Sequence, residues 1–295
     1  MKDKMKQSDD NHIIPMTSVS AGKGREVKPD VYYYTNQIVN VVFIGEPELG
    51  RWVLIDAGMP KSGSNIIKVA EERFGKGTKP MAILLTHGHF DHVGSIVHLL
   101  EEWPGVPVYA HPLEFPFLTG AEAYPDPDPG IEGGGMLAKI SSIYPHEPVY
   151  IEPVLLPLPT NGSVPNLPGW QWLHTPGHAP GHVSFFRESD RMLIAGDAFV
   201  TVKQDSFYKV LMQKEEVNGP PVYLTTDWPS ARQSVRILDA LQPELVIAGH
   251  GTHMQGQALR DGLHKLAVEF DDIALPKHGR YVNDSDAEGN IDSIH

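Results

Sequence analysis

The chain has 295 residues, lacks cysteine and carries a formal net charge of −13 at neutral pH. The missing cysteine excludes disulfides, and an acidic chain without a dense Lys/Arg cluster disfavours nucleic acid as a partner. No run of about 18 apolar residues occurs, so we expect no membrane span. The 41% hydrophobic content is typical of a globular domain. The polar first dozen residues lack an apolar signal core, which favours the cytoplasm.

The first half of the chain is predicted to combine strands with a helix. Apolar runs at residues 31–34, 38–44 and 52–56 indicate three strands. Helical periodicity then covers residues 64–74 and ends at Gly75. These elements precede the segment that carries most of the chemical information in the sequence.

Residues 86–92, Thr-His-Gly-His-Phe-Asp-His, place three imidazoles and a carboxylate directly after an apolar run. Imidazole and carboxylate together suit zinc or a similar ion, whereas magnesium and calcium sites use oxygen ligands almost alone. If the apolar run is a buried strand, His87 and His89 leave its end on one side, and Asp91 and His92 lie at the start of the following helix. Two adjacent ions are therefore predicted, one facing each pair.

Residues 113–168 separate the two halves of the chain and are rich in proline and glycine. A stretch this long without regular structure is usually functional or disordered, and its aromatic and aliphatic content predicts a packed cap or lid beside the metals. An oligomer contact, such as a homodimer interface, and a plain surface excursion are the alternatives. Around this insertion we predict one domain at 29–282, with flexible termini at 1–28 and 283–295.

In the second half, three apolar strands are each followed by glycine and a ligand-type residue. The strand at 170–174 leads into a Pro- and Gly-rich loop that exposes His178, and the other two strands end in Gly196-Asp197 and Gly249-His250. Helices are predicted at 230–241 and 256–271. The convergence of these strand ends on the first motif predicts one shared metal site.

The remaining aromatic and histidine residues receive weaker predictions. We expect an apolar substrate pocket to be lined by Phe90, Phe199, Phe207 and Tyr208. Five other histidines are expected to be structural or on the surface: His98, His111, His182, His253 and His264.

These motifs resemble those of the metallo-β-lactamase superfamily over about residues 30–255. Residues 54–58 are similar to its first motif and residues 87–92 to its second, and the later motifs correspond to single residues: His178, Asp197 and His250. The resemblance implies an α/β fold, an αβ/βα four-layer sandwich in which two mixed β-sheets pack face to face. It further implies that one ion is held by His87, His89 and His178, the other by Asp91, His92 and His250, and that Asp197 bridges both.

Such a site predicts a hydrolase that uses a metal-bridging hydroxide against a carbonyl carbon. Asp91 and Asp197 are the predicted catalytic carboxylates, and Asp56 is predicted to accept a hydrogen bond from a ligand histidine. Two divalent ions are the expected cofactors, zinc first, with iron, manganese or cobalt as alternatives. The substrate is expected to be a small molecule with a lactone, thioester or carboxylic ester bond.

Comparison with members of the superfamily disfavours some classes of substrate but does not select one. True β-lactamases commonly carry cysteine where Asp197 stands, which disfavours that activity here. Acyl-homoserine lactonases are similar around Asp56 and Asp197, but Val200 stands where their substrate-facing tyrosine would be, unless Tyr208 replaces it. Glyoxalase II-type thioesterases share all the ligand types, although their added C-terminal helical domain is not evident.

Three alternatives to the ester hydrolase stay open. Persulfide dioxygenases keep the same His and Asp residues around a single iron, so an iron oxygenase is the second hypothesis. A nuclease or phosphodiesterase is less favoured because of the acidic charge. A non-catalytic module stapled by metal is disfavoured because a structural zinc needs only four ligands.

Overall fold

A computed structural model describes residues 4–13, 18, 20–202 and 215–282. Its strands form a seven-stranded sheet in the order β1 to β7 and a five-stranded sheet in the order β14-β13-β10-β9-β8, while β11 and β12 pair separately. The first sheet consists of β1 Gly24–Lys28, β2 Val31–Asn36, β3 Val39–Ile44, β4 Val53–Ile55, β5 Ile83–Leu84, β6 Val108–Ala110 and β7 Leu155–Pro157. The remaining strands are β8 Trp170–His174, β9 Val183–Arg187, β10 Met192–Gly196, β11 Val200–Val202, β12 Glu215–Asn218, β13 Leu245–Ala248 and β14 Met254–Gln255.

The described helices lie between and after these strands. They are α1 Gly63–Phe74, α2 Phe90–Val93, α3 Ile96–Glu102, α4 Phe115–Leu118, α5 Gly135–Lys139, α6 Trp228–Ala240, α7 Gly256–Val268 and α8 Phe270–Ile273. Short 3-10 turns occur at Pro47–Leu49, Pro112–Glu114, Ser141–Ile143 and Glu152–Val154. None of these described helices is both long and apolar enough to cross a membrane.

Both sheets are mixed. In the first sheet β1 to β4 are antiparallel and β4 to β7 are parallel. In the second sheet β10 and β13 are parallel, and the other pairs are antiparallel. Parallel neighbours place the carboxyl ends of their strands at one edge of the sheet, where loops carrying functional residues can meet.

The alternation of side chains along each strand produces a four-layer arrangement. Val53 and Ile55 of β4 face β10 residues such as Ile194 in the core between the sheets, whereas Leu54 faces α1 and α3. On the other side, Leu193 of β10 packs with residues of α6 and α7. The order of layers is therefore helix, sheet, sheet, helix, which is the sandwich that the motifs implied.

The N-terminal prediction needs correction. Gly24–Lys28 forms β1 and pairs with β2, whereas the sequence predicts a flexible segment that ends at residue 28. Earlier residues are also anchored: Lys6 pairs with Tyr150, and the Gln7 side chain donates to the Val93 carbonyl. An edge strand is stabilised by backbone hydrogen bonds and needs no apolar pattern, so polarity alone could not reveal it. Residues 283–295 lie outside the described part of the chain.

The insertion at 113–168 is only partly a cap. Its α4 and α5 helices lie outside the sheets, but Leu155–Pro157 forms β7, which pairs in parallel with β6 at the edge of the first sheet. This strand has three residues and is partly exposed, so it carries no alternation that a sequence pattern could detect.

Two helices also differ from their predicted extent. The motif helix divides into α2 and α3 at Gly94, where a Cβ atom would lie 2.3 Å from the Pro60 nitrogen. The predicted helix at 256–271 divides into α7 and α8 at Glu269. A close backbone approach such as the one at Gly94 leaves no trace in hydrophobic periodicity.

Candidate metal centre

Seven predicted ligand side chains meet where strands of both sheets end. The loop after β5 carries His87 and His89, the short helix α2 carries Asp91 and His92, and the second sheet contributes His178, Asp197 and His250. All seven side chains are buried. Burying this many titratable groups is costly unless each is paired or holds a metal.

The Asp197 carboxylate lies at the centre of the cluster. Its Oδ2 atom is 3.2 Å from His250 Nε2, 3.4 Å from His178 Nε2 and 3.5 Å from His92 Nε2. Two ligand atoms that share a tetrahedral zinc at ~2.0–2.2 Å lie about 3.3 Å from each other. The observed separations are therefore those expected of atoms that coordinate a common ion.

Three overlapping groups each bring their ligand atoms within 4.8 Å of one another. One group contains His87, His89 and His178, and a second contains Asp91, His92 and His250; the third joins His87 and His92 with Asp197. The first two groups contain the same residues as the two ion sites that the family resemblance implied. Asp197 thus lies beside both.

Several polar atoms in this cluster are buried and have no hydrogen-bond partner among the described residues. They are His87 Nε2, Asp91 Oδ1, His92 Nε2 and Asp197 Oδ1. Buried polar groups are nearly always satisfied, so several unpaired polar atoms within one cluster of ligand-type side chains indicate an ion that completes them. The side chains fit divalent metal.

The protonation states divide the cluster in two. Burial, together with neighbouring imidazoles, holds the pKa of His87 and of His178 well below the ordinary value, and burial lowers the pKa of His89 to about 4. These three rings are therefore neutral near pH 7, as metal ligation requires.

The rings near the carboxylates behave differently. Burial acts against protonation of His92 and His250, but the charges of nearby aspartates outweigh this effect. The pKa of His92 is therefore raised well above its ordinary value, and the pKa of His250 is raised to about 10. Burial would raise the pKa of Asp197, yet the His250 and His92 charges hold it well below its ordinary value. Without metal, protons on two imidazoles balance the buried carboxylates.

Asp56 contacts the ligand His92 and orients its ring. Asp56 is buried, and its backbone lies in the left-handed region with φ 63°. Its Oδ1 accepts from the Thr86 amide at 2.8 Å, and its Oδ2 lies 2.8 Å from His92 Nδ1. A carboxylate at Nδ1 holds the proton there and leaves Nε2 free to face the metal. Asp56 therefore sets the tautomer of His92.

Other residues that orient the ligands were not identified from the sequence. Thr225 Oγ1 lies 3.1 Å from His178 Nδ1, and the Ile38 carbonyl lies 2.9 Å from His250 Nδ1. His182 is fully buried and accepts from the Asp197 amide at 2.9 Å. Burial lowers the pKa of His182 to about 3, so it is neutral and able to accept. The repeated Pro-Gly-His at 176–178 and 180–182 was the available signal for His182.

A cavity of about 340 Å³ opens beside His89 and His178. Leu113, Phe117 and Tyr124 of the insertion form one wall, and segment 224–227 contributes the other. The residues predicted to form a pocket are distributed differently. Phe90 packs on Tyr144 with 5.2 Å between ring centroids, Phe199 is fully buried in the core, and neither lines this cavity. Phe207 and Tyr208 lie outside the described residues.

Comparison with known proteins identifies the family. Residues 34–250 match the metallo-beta-lactamase superfamily. The sequence is 46% identical over 261 residues to "Probable metallo-hydrolase YflN" of Bacillus subtilis (strain 168), which covers 88% of this chain and 98% of that relative. The chain therefore belongs to the metallo-beta-lactamase superfamily, which confirms the resemblance drawn from the motifs.

Solved structures agree on the fold. Rm3 metallo-beta-lactamase superposes with a TM-score of 0.58 at 21% identity, covering 86% of this chain and 94% of that chain. A B3 metallo-beta-lactamase described as having an active-site glutamic acid gives 0.59 at 16% identity, covering 92% and 97%. At these identities the likeness concerns the fold alone, and it confirms the sandwich.

Proposed function

We propose that this protein is a binuclear metal-dependent hydrolase that cleaves an ester-type bond, a lactone, thioester or carboxylic ester, in a small molecule. The observation that carries the proposal is the position of Asp197, whose Oδ2 lies 3.2–3.5 Å from histidines of both ion sites. The relative described as a probable metallo-hydrolase supports the reaction class.

In this proposal His87, His89 and His178 hold one ion, Asp91, His92 and His250 hold the other, and Asp197 contacts both. Zinc is the expected ion because imidazole and carboxylate are its usual ligands. Two such ions, when bound, supply hydroxide at neutral pH by lowering the pKa of a shared water from ~15.7 towards ~7.

In this proposal the Asp91 carboxylate takes part in proton transfer. Asp91 Oδ2 lies 3.3 Å from His250 Nε2, while its Oδ1 has no hydrogen-bond partner among the described residues. That oxygen is available to orient a nucleophile or to hold its proton. Asp91 therefore combines a ligand role with a proton-handling role.

The cavity beside the first ion site suggests how a substrate would be oriented. Its volume of about 340 Å³ lies within the range typical of small-molecule sites, and Leu113 and Phe117 make one wall apolar. An apolar acyl or alcohol group would fill this space while the scissile carbonyl faces His89 and His178. A carboxylic ester, lactone or thioester with a hydrophobic substituent meets these requirements.

The test is an activity screen on protein whose metal content has been quantified, with lactone, thioester, carboxylic ester and phosphodiester panels. We expect two equivalents of metal and turnover of at least one ester-type panel. The matched control is Asp197→Asn, which has the same size and should lose the bridge and nearly all turnover while keeping its circular dichroism spectrum.

Other outcomes of this screen would indicate other activities. Protein that contains one equivalent of iron and consumes oxygen would be an oxygenase and not a hydrolase. Turnover of phosphodiesters alone would indicate a nuclease-like activity. Full ester hydrolysis by Asp197→Asn would contradict the bridging role.

A further inference from the structure

Glu114 is a buried carboxylate that the proposed chemistry does not use. It ends the 3-10 turn Pro112–Glu114 at the start of the insertion, and its side chain is fully buried. Its Oε2 accepts from the Gly88 amide at 2.8 Å, and its Oε1 accepts from the Gly181 amide at 2.7 Å. The Tyr124 hydroxyl donates to the same carboxylate and also accepts from the Gly88 amide at 2.9 Å.

The two amides belong to the two loops that carry the ligands of the first ion site. Gly88 lies between His87 and His89 after β5, whereas Gly181 lies in the loop of His178 between β8 and β9. These loops extend from different sheets. One carboxylate therefore connects the two halves of a three-histidine site.

The carboxylate and Tyr124 pack closely against both glycines. A Cβ atom at Gly88 would lie 2.9 Å from the Tyr124 hydroxyl, and one at Gly181 would lie 2.7 Å from Glu114 Cγ. The Tyr124 ring centroid is 4.3 Å from that of His89 and 3.9 Å from that of Phe117, on which it stacks. The contacts hold the carboxylate and the His89 ring in a fixed relation.

We propose that Glu114 is a positioning residue: it sets the distance between the His87/His89 loop and the His178 loop, and so the geometry of the first ion site. Tyr124 holds the carboxylate in place. This inference rests on the proposed metal site. It assigns to the insertion a role in building the centre in addition to forming a wall of the cavity.

Glu114→Gln tests the proposal with almost no change of shape. An amide offers one acceptor oxygen, and its NH2 group would face either the Gly88 or the Gly181 amide, so the side chain itself accepts from only one of the two loops. If that loop is the one of His178, the Gly88 amide keeps only the Tyr124 hydroxyl, 2.9 Å away. We expect about 10- to 100-fold weaker binding of Co²⁺ at this site, as is typical for loss of a partner behind the ligands. Competition with a chromophoric chelator measures the affinity, and the visible spectrum of bound Co²⁺ reports the ligand geometry.

Asp128→Asn is the matched control. Asp128 is also a buried carboxylate that accepts from two backbone amides, those of Gly130 and Arg280, but neither amide belongs to a ligand loop. This variant should lower the melting temperature of metal-free protein while leaving the Co²⁺ affinity and spectrum unchanged. Tyr124→Phe keeps both amide bonds to Glu114 and should weaken Co²⁺ binding less than Glu114→Gln does.

Glu114→Asp extends the test if the glutamine variant does not fold. It keeps the carboxylate but is one methylene shorter, so it cannot reach both loops and should also alter the spectrum. Wild-type affinity and spectrum in Glu114→Gln or Glu114→Asp would overturn the proposal, as would equal losses in Glu114→Gln and Asp128→Asn. Failure of the wild-type protein itself to bind Co²⁺ would instead refute the proposed function on which this inference rests.

Discussion

Asp56 illustrates how much one residue can determine in this site. Its backbone adopts φ 63°, a conformation that costs most residues energy but that Asp and Asn tolerate. The conformation turns the carboxylate toward Thr86 and His92 at once. Backbone strain and ligand orientation are therefore combined at the same position.

Replacing Asp56 by Asn separates these two roles. Asn keeps the backbone conformation and can still accept from Thr86, but its amide donates to His92 Nδ1 and moves the ring proton to Nε2, which faces the metal. We expect about 10- to 100-fold weaker metal binding with nearly unchanged stability of the metal-free protein, measured by metal titration and urea unfolding. Asp56→Ala should be less stable as well. Unchanged metal affinity in Asp56→Asn would show that the carboxylate does not set the tautomer.

His111 is predicted to make the fold sensitive to acid. Burial and the nearby His174 ring, stacked at 4.3 Å, lower the pKa of His111 to about 4. Because this value lies below the ~6.5 of an unfolded histidine, the unfolded chain binds the proton first. The stability from the neutral ring is complete above pH 6.5 and is lost as the pH falls towards 4.

In the wild type, His111 Nδ1 accepts a hydrogen bond from the Leu113 amide at 3.3 Å. The substitution His111→Asn removes the titrating ring, and the asparagine side chain can still accept from that amide. We expect its melting temperature to fall less between pH 6.5 and pH 4 than that of the wild type, and to match the wild type's dependence on pH above 7. Thermal unfolding monitored by circular dichroism provides the comparison. Identical acid profiles would remove His111 from the pH response.

At the scale of elements, helix α6 fixes the loop of His178. The Thr226 and Asp227 amides at its start donate to the Gly177 carbonyl, and Ser234 Oγ donates to the Pro176 carbonyl. Gly177 has φ 128°, and a Cβ atom there would lie 2.3 Å from the Ala231 nitrogen. The helix can approach the loop this closely only because residue 177 is glycine.

Gly177→Ala should therefore displace α6 from the His178 loop. Overpacking of this kind typically costs about 1–3 kcal/mol, and the variant should also bind metal less tightly. The matched control is Gly75→Ala, because Gly75 also has a large positive φ, 100°, but a Cβ atom there would meet no described atom within 4 Å. Urea unfolding in EDTA compares the two. Equal losses of stability would mean that backbone strain, and not the helix contact, is responsible.

For the whole molecule, the metal centre is a junction between the two sheets. His87 and His89 follow β5 of the first sheet, whereas His178, Asp197 and His250 follow strands of the second. Bound ions would therefore connect the two sheets of the sandwich through side-chain ligands. Metal that binds only the folded state stabilises it by mass action.

Zinc should accordingly raise the melting temperature above its value in EDTA. At a free concentration of 100 Kd, one site adds about 2.7 kcal/mol, which corresponds to roughly 5–10 °C for a domain of this size. Asp197→Asn, which lacks the shared carboxylate, should respond much less. A wild-type melting temperature that is the same in EDTA and in zinc would contradict a metal junction.

Much of the candidate site could be predicted from local patterns in the chain. His87, His89, Asp91 and His92 are close in sequence, so the strand and helix that carry them fix their relative positions. His178, Asp197 and His250 each follow an apolar strand and a turn containing glycine, a pattern that short-range geometry produces. The candidate ligands could be recognised for this reason, and the resemblance of their motifs to a known superfamily implied the sandwich.

Other features depend on contacts between distant segments. Glu114 meets Gly88 and Gly181, 26 and 67 residues away, and Thr225 meets His178 at a separation of 47. The edge strands β1 and β7 likewise depend on backbone pairing with a neighbour rather than on an apolar pattern.

The sequence by itself indicated the family, because the residues near its strand ends form motifs that resemble those of a known superfamily, and this resemblance implied the layered fold and the ligand set. Only the tertiary structure decided which groups other than Asp56 orient the ligands and which residues line the cavity beside them. Hydrogen bonds and close packing act over a few ångströms in space, and separation along the chain does not reveal which atoms will be that close.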